Sequence, residues 1–414
     1  VTSFSRREKL FVFFSMLVGF CIAAEYGITR PASHSIFLTV FSSQQLPWLW
    51  FATVPVNLLA IVLYNRFLPK IGPLIMFAIV GCSVIVVNSI AALILPIFPG
   101  YIFFQCLWKD IYILLMFKQL WSMIHSTIHS NRASYLYGLI FAMGTIGSCL
   151  GSCIPSFGAV PLGSEKLFFF TLPLYVVLFF GYRNAFHRSV LSKEGLKKEL
   201  MPSQNASEGF SLIRRNRFLV AILFLVVAMQ VSAGFLEYRF NVHLEMHILD
   251  KDLRTAYCGK LFGWMNLISV ILQSIGSFLI VRIIGLKQTH FLIPLMLLGS
   301  AMCSWMIPSF ALLSCSYVFL KAIDFSLFSV GREMLYIPFG LDEKFRAKAV
   351  IDVFAYRSSK ALVSLSILCL QAIAGVYLLE VAVYVSIAIF MLWIGIVFFM
   401  LRHFPSQVRS PASR

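Results

Sequence analysis

Residues 218–238 read FLVAILFLVVAMQVSAGFLEY, and this stretch decides the kind of chain to which it belongs. Nineteen residues pass before the first ionisable group, Glu237. A helix of about 20 apolar residues is long enough to cross a bilayer. The run is continuous, without the period-two alternation of a barrel strand, so it reads as a membrane-spanning helix. Working outward, the same signal recurs until twelve spans are counted: 10–29, 46–64, 71–95, 101–124, 134–157, 167–186, 218–238, 257–281, 290–308, 310–331, 348–370 and 374–401. The fourth carries Lys109, Asp110 and Lys118, and the ninth and tenth meet near Pro308.

Composition agrees. Apolar residues make up 59% and charged ones 12%, against about 45–50% and about 25% in soluble domains. Soluble enzymes, nucleic-acid-binding modules and disordered tails are excluded, and the expected fold class is an all-α membrane protein. The net charge of +17 then reads as an orientation signal. With the N-terminus in the cytoplasm, 23 Lys and Arg fall on that side and six on the other. That bias follows the positive-inside rule and leaves both termini cytoplasmic. Arg6, Arg7 and Lys9 run straight into the first span, which is expected to be retained, not cleaved as a signal peptide. The nine Cys form no Cys-x-x-Cys pair or zinc spacing, so neither a disulfide framework nor a metal is expected.

The quoted span ends in Glu237-Tyr238, and the first span ends in Glu25-Tyr26, 212 residues earlier. Arg66 and Gly72 are echoed by Arg282 and Gly285, and Arg132-Ala133 by Arg346-Ala347, at offsets near 214. The chain therefore divides into a six-helix bundle over 1–186, a basic cytoplasmic linker over 187–217 and a second bundle over 218–414. Two like-oriented six-helix halves are the parallel-repeat plan of the major facilitator architecture, in which a site between the bundles opens to one side at a time. Asn205-Ala206-Ser207 fits a glycosylation sequon but lies on the cytoplasmic side, so it reads as chance. The linker's charge suits a topology anchor at anionic head groups, with a regulatory docking site as the alternative.

Ionisable groups within spans are costly and mark candidate function. Asp352, Tyr356, Ser359 and Lys360 form one polar stripe, with Arg357 three residues before Lys360. The stripe fits either a hydrated, electropositive cavity for an anionic substrate or a structural ion-pair cluster. Lys321 and Asp324 can pair on one helix face, structurally or as a gate. Glu25 and Glu237 are candidates for coupling, for gating with Arg30 and Arg239, or for interfacial charge. Lys109 and Asp110, adjacent and so about 100° apart on a helix, need partners elsewhere. His125 and His129 have metal spacing but no visible third ligand. Gly144, Gly147 and Gly151, with Ser148 and Ser152, form a small-residue face for close helix contact. No phosphate-binding loop or catalytic triad is visible, so no enzyme activity and no cofactor are expected.

Ser326-Leu-Phe, Arg332-Glu333-Met334-Leu335-Tyr336-Ile337-Pro338, then Lys344-x-Arg346-x-Lys348-Ala-x-Ile351-Asp352-Val353 and Lys360 resemble a family signature. It is that of the nucleotide (ATP/ADP) translocases of obligate intracellular bacteria and plastids. Leu120-Trp121, the Arg132 to Gly151 stretch, and Tyr26 with Arg30 are similar to the family's earlier spans. The resemblance implies nucleotide exchange without hydrolysis, and carries over Arg30, Glu237, Glu333, Lys348, Asp352 and Lys360. Departures are specific. The family's Arg-Asp-Thr-Lys-Asp reads Arg30-Pro-Ala-Ser33-His34, its Glu-Leu-Trp reads Gln119-Leu120-Trp121, and a lysine before Ser-Leu-Phe is Asp324. With two cationic positions lost and an acid gained, a nucleotide less charged than a triphosphate, a related cofactor, or another anionic metabolite is the expected cargo.

The expected activity is secondary transport of a nucleotide or related anion by alternating access, as exchange. Arg30, Gln119, Lys348, Tyr356, Arg357 and Lys360 are the expected substrate contacts; Glu25, Glu237, Lys321, Asp324, Glu333 and Asp352 are the gating or coupling groups. The expected setting is a monomer in a bacterial inner membrane, with lipid as partner and no nucleic acid. The alternatives are a proton-coupled symporter or exporter of the same architecture, using Glu25 or Asp352, and a non-transporting scramblase or scaffold.

Overall fold

A computed structural model describes residues 5–127, 130–189, 206–273, 283–336, 339, 347, 350–351 and 355–402. Among these residues the regular structure is helical throughout: α1 (Arg6–Phe41), α2 (Leu46–Ile71), α3 (Pro73–Ile94), α4 (Tyr101–Thr127), α5 (Ser130–Leu162), α6 (Leu172–Arg188), α7 (Ala206–Arg215), α8 (Arg217–His247), α9 (Lys251–Ile271), α10 (Leu286–Met306), α11 (Phe310–Ile323), α12 (Ser329–Leu335), α13 (Tyr356–Ala374) and α14 (Leu378–Arg402). A 3-10 segment, Glu165–Thr171, leads into α6, and a π-helical turn, Asp324–Phe328, joins α11 to α12.

Nine helices among the described residues are long and apolar enough to cross a membrane. The chain is a multi-pass integral membrane protein. Nine of the twelve spans read from sequence meet this test among the described residues; the fourth, eighth and eleventh do not. Helix α4 has the length but holds Lys109, Asp110 and Lys118, and α9 carries Lys251, Asp252, Arg254 and Lys260. The eleventh span is described as a helix from Tyr356 onward, with an apolar portion, Ser358–Ala374, that is short for a crossing. Side chains such as Leu59, Val62, Phe157, Val176 and Leu392 are exposed on the helices, a surface suited to lipid but not to water.

The chain forms two compact units. The first comprises Val1–Gln45, Pro55–Met201 and Ile248–Val270; the second comprises Leu46–Val54, Pro202–His247 and Ile271–Arg414. Helix α1 is the axis of the first unit and packs against α4, α5 and α6. Its start is fixed by a capping box. The Ser5 hydroxyl accepts from the Glu8 N–H at 3.1 Å, and the Glu8 carboxylate accepts from the Ser5 N–H at 2.9 Å. The helix runs well past the expected end near residue 29, through Pro31 to Phe41. Pro31 removes one backbone donor, yet the segment stays helical because Ala32, Ser33, Ser35, Ile36, Phe37 and Leu38 are all buried against protein.

The small-residue face expected on α5 is where α1 lies. A side chain on Gly147 would fall on the Phe20 carbonyl, and one on Gly151 on the Ala24 carbonyl. A Cβ on Gly27, from the other side, would stand 2.5 Å from the Ser148 carbonyl. Backbones at this separation gain dense van der Waals contact that no larger residue permits. Around the seam, Val18, Ile22, Tyr112, Met116, Leu120 and Ile140 make the buried core. Helix α9 joins the same unit: the Asn266 amide donates to Ser148 Oγ at 2.8 Å, Lys251 pairs with Glu165, and Asp252 accepts from the Ser164 N–H at 2.8 Å.

In the second unit α8 is the axis, packed against α11, α13 and α14. Ile222, Leu225 and Met229 share a core with Leu297, Leu320, Trp393 and Val397. The stretch with the clearest sequence signal is thus the most enclosed helix of its unit. The repeat also has a backbone signature. Gly72, which precedes α3, has φ 90° and ψ 156°, and Gly285, which precedes α10, has φ 92° and ψ 153°. Only glycine adopts this conformation without strain, so the echoed glycines make the same turn in both halves.

Candidate functional site

In the first unit the polar residues of α1 meet those of α4. Glu25, Tyr26, Arg30 and Ser33 follow helical spacing on α1, and Gln105, Lys109 and Tyr112 do so on α4. The Lys109 ammonium donates to Ser33 Oγ at 3.1 Å and lies 5.8 Å from the Tyr26 ring centre. Arg30 lies over the same ring at 5.7 Å and over Phe262 of α9 at 4.1 Å. Two cations thus flank one tyrosine ring, an arrangement that holds positive charge where water is scarce. Ser33 is the position at which the translocase motif carries lysine. Lys109 of α4 stands beside that position.

Glu25 is 2% exposed. Its Oε1 accepts from the Tyr112 hydroxyl at 2.5 Å and from the Asn88 amide at 3.2 Å, while Oε2 has no hydrogen-bond partner among the described residues. The network continues: Gln105 Nε2 donates to Asn88 Oδ1 at 2.8 Å, and Asn88 Nδ2 donates to Thr171 Oγ1 at 3.1 Å. A buried carboxyl held by neutral donors can take up or release a proton without breaking an ion pair. Asn88, Gln105 and Tyr112 went unnoticed in the sequence because they are uncharged; a scan for amides inside apolar runs would have found the first two.

The second unit repeats the theme with a different outcome. Lys321 of α11 makes a 2.8 Å ion pair with Glu237 of α8. Asp324, at the start of the π turn, accepts from the Gln230 amide at 3.3 Å on both oxygens. Lys321 and Asp324 act on each other electrostatically, as the sequence spacing allows, and each also finds a partner on α8. Glu25 and Glu237 are 212 residues apart, as are Lys109 and Lys321. Sliding the halves at the Glu-Tyr offset would have revealed this second match.

Arg239 hydrogen-bonds the Ser304 carbonyl at 2.8 Å and its hydroxyl at 3.2 Å. Gln119 is buried and donates to the Tyr182 hydroxyl at 2.9 Å and to the Pro73 carbonyl, tying α4 to α6 and the start of α3. Glu333 is half-buried on α12 and Lys360 half-buried on α13, beside the buried Ser359. Lys348 and Asp352 lie outside the described residues, as do the side chains of Tyr356 and Arg357 and all of His129. His125 packs against the rings of Trp121 and Tyr137. No group of three or more metal-ligating side chains occurs among the described residues.

The fold is similar to that of solved transporters. The solved nucleoside transporter NupG superposes, in a point-mutant form, with a TM-score of 0.65 at 12% identity over 97% of this chain and 100% of that one. A second NupG structure, without the mutation, gives 0.64 at the same identity. Residues 306–404 match the family model of the TLC ATP/ADP transporter, which covers the motif from Ser326 to Lys360. The chain is similar to ADP,ATP carrier protein 1 of Chlamydia trachomatis, with 23% identity over 184 residues and 40% of this chain. It is also similar to ADP,ATP carrier protein 1 of Rickettsia conorii, with 22% identity over 292 residues and 62% of this chain. The chain spans 35% of the length of the first relative and 57% of the second. The resemblance read from the motif therefore stands.

Proposed function

We propose that the chain is a secondary active transporter that moves a nucleotide or related anionic metabolite across a bacterial inner membrane by alternating access, as an exchanger. The reading is supported above all by the match of residues 306–404 to the ATP/ADP transporter family. The polar contacts inside α1, α4, α8 and α11 add to it, since charge within a membrane span is retained for use. In this proposal twelve helices form two six-helix bundles, 1–186 and 218–414, joined by 187–217, with both termini cytoplasmic and the protein monomeric. Arg30, Lys348, Tyr356, Arg357 and Lys360 contact the anion, and Gln119 holds α4 at the site. Glu237, Lys321, Asp324, Glu333 and Asp352 serve gating. The test is counterflow in proteoliposomes with labelled nucleotides and organic anions. Exchange of at least one labelled nucleotide is expected; accumulation of none, with another solute exchanged, sinks the nucleotide reading.

A second reading is favoured by Glu25: a proton-coupled symporter or exporter in which this enclosed carboxyl carries the proton. Uptake would then collapse with the proton gradient, and Glu25→Gln would leave counterflow while abolishing gradient-driven accumulation. Accumulation indifferent to both treatments removes this reading.

A further inference from the structure

At one corner of the first unit the start of α1 meets the end of α6, and both are rich in positive charge. Residues 6–9 and 183–188 hold Arg6, Arg7, Lys9, Arg183 and Arg188 against one carboxylate, Glu8. Glu8 is engaged at the helix cap, where it accepts from the Ser5 N–H. Arg6, Arg7, Lys9 and Arg183 are exposed, and Arg188 is half-buried. Two of the guanidiniums are held in place. Arg7 donates from Nε to the Arg188 carbonyl at 3.2 Å and from Nη2 to the Ser189 carbonyl at 3.4 Å, bridging the two helices. Arg188 donates from Nη1 to the Asn184 carbonyl at 2.8 Å and to Asn184 Oδ1 at 3.1 Å. A guanidinium carries five N–H donors, so each keeps donors for a further acceptor.

Next to these charges the surface turns aromatic. Arg188 lies over the Phe14 ring, 5.0 Å from its centre. Phe14 in turn meets Phe13 at 5.4 Å and Phe180 at 5.9 Å, edge to face. Phe13 and Phe180 are 58% and 60% exposed, so the rings face outward. Phe13 follows Lys9 by four residues and Arg183 follows Phe180 by three, so charge and ring share a face on each helix. Water rejects the rings and hydrocarbon rejects the guanidiniums; the boundary of a bilayer suits both. An anionic phospholipid matches both in one molecule, with a phosphate for the forked donors and an acyl chain for the rings. A soluble anion matches the charge alone. The second unit repeats the pairing at its own helix end. Arg402, 214 residues after Arg188, closes α14 and lies 4.4 Å from the ring centre of the exposed Phe398.

We infer that the junction of α1 and α6 is a binding site for an anionic phospholipid, with its phosphate on Arg7 and Arg188 and an acyl chain along Phe13, Phe14 and Phe180. Its place in the inner leaflet rests on the orientation proposed above; the binding itself depends neither on that orientation nor on what the protein transports.

The test is native mass spectrometry of the purified full-length protein in an uncharged detergent, titrated with phosphatidylglycerol, phosphatidylcholine or inorganic phosphate. Wild type is expected to bind phosphatidylglycerol about tenfold more tightly than phosphatidylcholine, since each arginine at a charged head group contributes about fivefold. Arg7→Gln with Arg188→Gln should erase that preference. Arg66→Gln with Lys70→Gln, which removes two exposed cations of α2, should leave it intact. If the first double variant does not fold, Arg188→Gln alone decides, because that side chain hydrogen-bonds only within α6. Phosphatidylglycerol binding weakened by about fivefold supports the inference, and unchanged binding overturns it. A wild type without the preference overturns it, as does a preference that survives loss of both arginines. An equal loss in the α2 variant would show diffuse attraction and not a site, and inorganic phosphate bound as tightly as the lipid would show a free-anion site; either result overturns the inference.

Discussion

Glu237→Gln is expected to destabilise the protein by about 2 kcal/mol, because it removes the 2.8 Å counter-ion of the enclosed Lys321 ammonium and leaves Asp324 to offset its charge from farther away. The side chains of Lys321 and Glu237 are 12% and 23% exposed. Solvent therefore screens part of the loss, and the figure lies below that for a fully enclosed pair. Thermal unfolding in detergent reads the change directly. Replacing both members, Glu237→Gln with Lys321→Met, should recover most of the loss, since the cost lies in the orphaned charge and not in the absence of a pair. A single variant that unfolds with wild type would mean that water already neutralises Lys321, and the pair would then have no part in holding α8 to α11.

Lys360→Gln should leave folding intact and reduce nucleotide counterflow by about ten- to a hundredfold, the range expected when a hydrogen bond to a charged group is lost. Lys360 is half-buried on α13, next to the buried Ser359, and Ser364 donates to the Lys360 backbone carbonyl at 2.8 Å. The substitution keeps most of the side chain's length and the helix hydrogen bonds while deleting the charge. Lys360→Arg should retain part of the exchange, because it keeps the cation but alters its geometry. Counterflow at the wild-type rate in the glutamine variant would remove Lys360 from the cargo's path.

The apolar spans were legible because hydropathy reports directly which segments water cannot cover. Glu25 and Glu237 were legible too, as isolated charges at matching places. The alignment of helix faces was not. Nothing in a one-dimensional pattern says that Lys109 turns toward Ser33, or that Glu25 turns toward Tyr112 and Asn88, because rotation about a helix axis is set by neighbours distant in sequence. The extent of α1 was misjudged for a related reason. Pro31, Ser33 and Ser35 look like a boundary when counted against lipid, but they face protein, which satisfies them. The Gly147 and Gly151 seam could be anticipated, since small residues three and four apart have one strong use in a membrane; which helix filled it could not.

The π turn at Asp324–Phe328 lies across the Ser326-Leu-Phe motif, with Ser326 Oγ donating back to the Ala322 carbonyl at 2.5 Å. Such a turn is in effect one surplus residue within an α-helix, and one residue of α-helix turns about 100°. Everything after it, Arg332 and Glu333 included, therefore presents a different azimuth from the one a uniform helix would give. Loss of a single codon there would straighten the segment and swing the following charges aside, so comparison with any chain lacking the surplus residue requires a gap of one at this point.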